Sequence, residues 1–198
     1  MKFTKMHGCG NDYIYIDGAA WKIPGNDKPK VVRFLSDRHF GVGGDGVIFI
    51  NPSDEADFEM EMYNADGTRA EMCGNGIRCV AKYVYDKGLT DKRQLSVVSA
   101  GQVKYLELET DSENKVSRIK VNMGRPVLEP EQIPVAVSGG QAVNVPICVE
   151  GLEYHMTCVS MGNPHAVILW PGRGIWRGHG LGRRLSPPNC LPAVPIRR

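Results

Sequence analysis

Cys73 carries the most chemical promise of any residue in this 198-residue sequence. It is followed by Gly74, Asn75 and Gly76, and then by apolar residues at Ile77, Val80, Ala81 and Val84. That i, i+3, i+4, i+7 spacing predicts the buried face of a helix over 77–86, with Gly88 placed to end it. Cys73 therefore stands at a turn just before a helix N-terminus. Glycines leave the backbone N–H groups there open to a ligand, and the helix dipole adds partial positive charge. Such a setting favours thiolate over thiol and binds a carboxylate beside the sulfur. It would hold an amino acid by its carboxylate and present a base to its Cα–H. The same string also suits a small buried cysteine ahead of a glycine-rich helix cap.

Asn11, Asn64 and Asn163 each lie in a glycine- or proline-marked loop between expected strands. An amide there can hydrogen-bond a zwitterion, or satisfy its own turn. His7 and His165 are equally open to a loop-ordering role, and neither has a metal-ligand partner at helical spacing. The six cysteines, Cys9, Cys73, Cys79, Cys148, Cys158 and Cys190, form no C-x-x-C pair, so no metal site is expected. The loop over 41–46 matches G-x-G-x-x-G only loosely and precedes a strand, which argues against a dinucleotide site. There is no P-loop, no nucleophile-elbow serine and no pyridoxal lysine motif.

Positioning these residues falls to a mixture of strands and helices. Residues 3–17 read as a strand broken by turn chemistry at 8–12. A helix is expected over 28–39 from the apolar face of Val31, Val32, Phe34 and Leu35, and a short strand over 47–50. Over 58–63, Phe58, Met60 and Met62 alternate with Glu59 and Glu61, which predicts a strand with its glutamates in water. Strands are expected over 95–98, 103–109 and 116–123, then a connector over 126–134. A second β-rich region follows at 143–149, 153–161 and 166–169, with Asn163-Pro164-His165 as a loop.

Composition is that of an ordinary folded chain: 42% hydrophobic, 23% charged, with a net charge of +2 that gives no reason to expect nucleic acid or an anionic membrane. No apolar run reaches the length of a membrane-spanning helix, and the N-terminus lacks a signal-peptide core. A cytoplasmic setting with free thiols is expected. Over 170–198, five Gly, five Pro and six Arg leave no helical or strand period, so that stretch reads as disordered. Its residues are those of GC-rich codons, which suggests out-of-frame translation, the alternative being a functional basic tail.

Five strings in order now carry a resemblance: Lys5-Met6-His7-Gly8-Cys9-Gly10-Asn11-Asp12-Tyr13, Arg38-His39-Phe40-Gly41-Val42-Gly43-Gly44-Asp45-Gly46, Tyr63-Asn64-Ala65-Asp66-Gly67, Met72-Cys73-Gly74-Asn75-Gly76-Ile77-Arg78-Cys79 and Val159-Ser160-Met161-Gly162-Asn163-Pro164-His165. From Met1 to near Leu169 the sequence resembles the diaminopimelate epimerases. The resemblance implies an α/β fold of two pseudo-symmetric domains, each a barrel-like mixed sheet around a central helix. The N-terminal domain would span 1–122, an incomplete second domain 123–169, and the atypical tail 170–198.

The resemblance also implies an isomerase that interconverts LL- and meso-diaminopimelate in lysine biosynthesis without pyridoxal phosphate, metal or other cofactor. Its partner would be a small amino-acid substrate, with no nucleic acid and no membrane, and a homodimer is left open. Cys73 matches one of two cysteines that work from opposite faces of the substrate Cα, one as base and one as acid. Substrate contacts carry over to Asn11, Asn64, Gly74, Asn75 and Asn163, and His165 matches a histidine beside the catalytic pair. The family's second Cys-Gly-small-Gly motif, and the Glu-Arg pair before it, have no counterpart; Cys190 is followed by Leu191-Pro192-Ala193. Gly46 stands where some members have a substrate-touching glutamine. An impaired enzyme is therefore expected. The alternatives are an inactive truncated or frameshifted product, or another amino-acid racemase of the same fold.

Overall fold

The computed structural model describes residues 1–168 apart from 134, 136, 138, 139, 150 and 151. The stretch over 170–198, expected to be disordered, lies outside the described residues. The chain divides into two compact units, Met1–Met123 and Gly124 onward.

The first unit is built on a seven-stranded mixed sheet whose spatial order follows the sequence: β1 (Thr4–Gly8), β2 (Asn11–Asp17), β3 (Gly46–Asn51), β4 (Phe58–Asn64), β5 (Gln94–Ser99), β6 (Gln102–Thr110) and β7 (Val116–Val121). The β2–β3 and β4–β5 pairs are parallel, and the others antiparallel. Helix α1 (Lys28–Ser36) packs on β3 and β4, while helix α2 (Gly74–Asp86) packs against both edge strands, β1 and β7, and against β2 and β6. Contact with both edges means that the sheet curls around α2 as a half-barrel.

The pattern of apolar residues explains this layering. Tyr13, Tyr15, Ile48, Ile50, Met60 and Met62 share a core with Ile77, Val80, Ala81 and Val84 of α2. The alternate residues Ile14, Ile16, Val47 and Phe49 form a second core with Val32 and Leu35 of α1. β2 and β3 are thus covered on both faces, which is why they read as continuous apolar runs. α2 begins three residues before the expected start because Cys73 caps it. It ends as expected: Gly88, at φ +72°, donates to Tyr85 O at 3.0 Å and Leu89 donates to Val84 O at 2.8 Å. That paired closure needs a left-handed residue, so Gly88→Ala is expected to lower stability by about 1 kcal/mol in urea unfolding. Unchanged stability would mean that the cap contributes nothing.

Two local expectations fail for physical reasons. α1 stops at Ser36 rather than His39 because the Asp37 carboxylate captures the His39 and Phe40 N–H groups, at 2.7 and 2.8 Å, and turns the chain. Glu61 is not in water. It is 8% exposed, beneath α1, and its carboxylate accepts hydrogen bonds from Lys28 Nζ (2.5 Å), Asn51 Nδ2 (3.0 Å) and the Tyr63 hydroxyl (2.8 Å). Alternation along β4 cannot reveal a helix lying over its second face.

The second unit holds a three-stranded antiparallel sheet in the order β10-β9-β8, with β8 at Val145–Val149, β9 at Leu152–Ser160 and β10 at Pro164–Ile168. A small core of Ile133, Ala142, Ile147, Met156 and Cys158 supports it. β10 starts inside the expected loop, at Pro164. A proline is tolerated as the first residue of an edge strand, where no ladder N–H is needed. Among the described residues, no helix is long and apolar enough to cross a membrane.

Candidate active site

Strand order brings the first unit's candidate residues to one end of the sheet. β2 starts at Asn11, β3 starts parallel to it at Gly46, and β4 runs back to finish at Asn64. The register pairs Tyr13 with Gly46 and Gly46 with Asn64. The N-terminus of α2 lies at the same end, since Asn11 Nδ2 donates to Cys73 Sγ at 3.4 Å.

Cys73 is the N-cap of α2, in extended conformation (φ −125°, ψ 106°), and its Sγ accepts from the Gly76 N–H at 3.3 Å. Helices are normally capped by a hydroxyl, amide or carboxylate oxygen. A neutral thiol accepts poorly, whereas a thiolate is a charged acceptor suited to the positive end of the helix. Two N–H donors, from Asn11 and Gly76, are thus aimed at one sulfur. A Cβ on Gly76 would fall 2.9 Å from Ile48 Cδ1, so the end of the Ile48 side chain would have to shift to admit one. The first-turn N–H groups of Gly74 and Asn75 have no carbonyl partner within the helix and are available to a carboxylate.

The surroundings separate half-buried Cys73 from the two buried cysteines. Cys79 and Cys158 are buried, and burial pushes both thiols up; the Tyr15 hydroxyl and Arg78 only partly offset this at Cys79. Burial also pushes the Tyr13 phenol up to about 12, with the Asp45 and Asp12 carboxylates adding to it. Limiting iodoacetamide at neutral pH, followed by peptide mapping, is expected to label Cys73 before Cys79 and Cys158. Earlier labelling of either would remove Cys73 as the activated thiol.

The other candidate residues are more scattered. Asn64 is exposed, and its Nδ2 donates to Thr68 Oγ1 at 3.1 Å, which serves its own turn. Asn75 Oδ1 accepts from the Arg78 guanidinium. Asn163 and His165 belong to the second unit, where the β9–β10 turn brings His165 Nε2 to 3.0 Å from Asn163 Oδ1. His7, on β1, lines cavities of about 610 and 590 Å³, the first shared with Asn75 and Arg78 of α2 and the second with Asp12 and Arg38. Among the described residues, no three His, Cys, Asp or Glu side chains converge to hold a metal ion.

A set of charges beside Asn11 has no role in the sequence-based expectations. Arg38 reaches Asp12 Oδ1 at 2.7 Å and Asp45 Oδ1 at 2.9 Å, and Lys5 Nζ lies 3.1 Å from Asp12 Oδ2. The Arg38 guanidinium holds the Asp12 carboxyl well below the usual carboxylate range, against some burial and with help from Lys5. The signal in the sequence is Arg38 and Asp45 bracketing the glycine loop, with Asp12 next to a candidate asparagine.

Solved structures share the fold. The chain is similar to a probable proline racemase from Agrobacterium radiobacter, with a TM-score of 0.58 and 15% identity, over 86% of this chain and 54% of that one. Sequence narrows this further. The family model described as diaminopimelate epimerase matches residues 3–129. The diaminopimelate epimerase of Agathobacter rectalis is 57% identical over 175 residues, covering 85% of this chain and 60% of that protein. That of Methanococcus maripaludis is 51% identical over 167 residues, covering 84% of this chain and 59% of that protein. This chain belongs to the diaminopimelate epimerase family. It spans about 60% of the length of these curated relatives.

Proposed function

We propose that this chain carries one catalytic face of a cofactor-independent diaminopimelate epimerase. The observation that supports this most is the Cys73 sulfur at the start of α2, receiving N–H groups from both Asn11 and Gly76. In the proposed reaction the Cys73 thiolate takes the α-proton. The Cα–H bond breaks, an S–H bond forms, and the electron pair spreads into the substrate carboxylate. The first-turn N–H groups of Gly74 and Asn75 bind that carboxylate and stabilise the charge as it grows. Asn11, Asn64 and Asn75 orient the rest of the amino acid. We assign to Cys73 proton removal and return on one face of the substrate Cα. A reducing, cytoplasmic setting suits a site that depends on a free thiol.

Substrate protection tests the class of ligand. LL- or meso-diaminopimelate is expected to slow alkylation of Cys73, whereas proline leaves it unchanged. Protection by proline and not by diaminopimelate would replace this reading with a proline-racemase one.

A further inference from the structure

We propose that Arg38 is a positioning residue for Cys73, clamping the start of β2 to the loop before β3 so that Asn11 stays in hydrogen-bond reach of the sulfur. The proposal rests on the reading of Cys73 as the reactive thiol. Arg38 lies just beyond α1 and forks onto the Asp12 carboxylate, with NH1 to Oδ2 at 3.2 Å and NH2 to Oδ1 at 2.7 Å. The same NH2 reaches Asp45 Oδ1 at 2.9 Å. The two aspartates are also tied through the backbone. Asp45 N–H donates to Asp12 O at 2.7 Å, and Asp12 N–H donates to Asp45 Oδ2 at 3.2 Å. Asp45 O in turn accepts from Ala65 N–H at 2.9 Å.

The clamp has a consequence for both asparagines of this unit. Asn11 precedes Asp12, which Arg38 holds, and Asn64 precedes Ala65, whose N–H is held by the backbone carbonyl of Asp45. Bidentate guanidinium–carboxylate pairing sets direction as well as distance, which a single point charge does not. Without Arg38, the Asp12 and Asp45 carboxylates face each other with only Lys5 to balance them. Their repulsion opens the β2–loop junction and draws Asn11 from the sulfur. The Arg38 side chain is 54% exposed and outside both cores, so its removal spares the packing of the fold.

The test is the alkylation rate of the Cys73 peptide in the intact chain at fixed neutral pH, with the melting temperature measured alongside. Asn11→Ala is expected to slow alkylation about fivefold, the scale of one modest hydrogen bond to sulfur. Arg38→Met is expected to slow it similarly, and Arg38→Lys to recover part of the rate. The double variant Asn11→Ala/Arg38→Met is expected to be no slower than either single one, because both act on the same contact. If Arg38→Met lowers the melting temperature sharply, Arg38→Lys, alone and combined with Asn11→Ala, supplies the same comparison with a smaller expected loss. Effects that multiply in the double variant, or an Arg38→Met rate equal to the parent's, would overturn the proposal while leaving Cys73 in its role. An Asn11→Ala rate equal to the parent's would instead remove the Asn11–Cys73 contact on which the functional reading stands.

Discussion

Replacing Lys28 by Met is expected to destabilise the chain by about 3 kcal/mol, because it leaves the buried Glu61 carboxylate without its counter-ion. Lys28 and Glu61 side chains are only 14% and 10% exposed, and the ammonium also lies 4.8 Å above the Phe49 ring. Burial pushes the Glu61 carboxyl up, but hydrogen bonds from Lys28, Tyr63 and Asn51 outweigh it, and the net direction is down. A carboxyl lowered on folding adds stability above its unfolded value and loses it as pH falls through the folded value. In Lys28→Met, the carboxyl that remains is pushed up instead, so protonation relieves the variant. The stability gap between parent and variant should therefore be widest near neutral pH and shrink on acidification. Urea unfolding at several pH values measures this. A gap that is flat or grows toward acid would show that Glu61 is not paired in solution. Lys28→Met/Glu61→Leu should recover only part of the loss, since Asn51 and Tyr63 then lack their acceptor.

Gly46→Ala is expected to cost about 2–3 kcal/mol, by overpacking at a site with no room. A Cβ there would sit 2.0 Å from Tyr63 O and 2.8 Å from the Tyr13 ring, so β3 and β4 must separate at the end that carries Asn64. Unfolding should shift to lower urea, and Cys73 labelling should change with it. An unperturbed variant would mean that β4 moves freely here.

Where the residues announce their own structure, the reasons are local. The period of Ile77, Val80, Ala81 and Val84 reports one buried helix face directly, and Gly88 is the residue a left-handed cap demands. The Cys73-Gly74-Asn75-Gly76 string states its chemistry in four consecutive residues. What stays hidden depends on partners distant in sequence. Glu61 reads as solvent-facing because nothing on β4 announces that Lys28, 33 positions earlier, lies across it. Arg38, Asp12 and Asp45 meet only because β2 and β3 are parallel neighbours, a pairing that periodicity does not specify. Asn64 shows the opposite limit: its motif is plain in the sequence, and the fold engages its amide with Thr68 in the same turn.

The proposed proton transfer depends on the Cys73 sulfur acting as the base on one face of the substrate Cα. Deuterium uptake into LL-diaminopimelate in D2O, followed by chiral separation and run beside Cys73→Ala, tests it most directly. The expected result for the parent chain is slow uptake at Cα with no meso product, and for Cys73→Ala no uptake at all. Uptake that persists in Cys73→Ala, absence of uptake in the parent, or meso product appearing as fast as deuterium enters would contradict it.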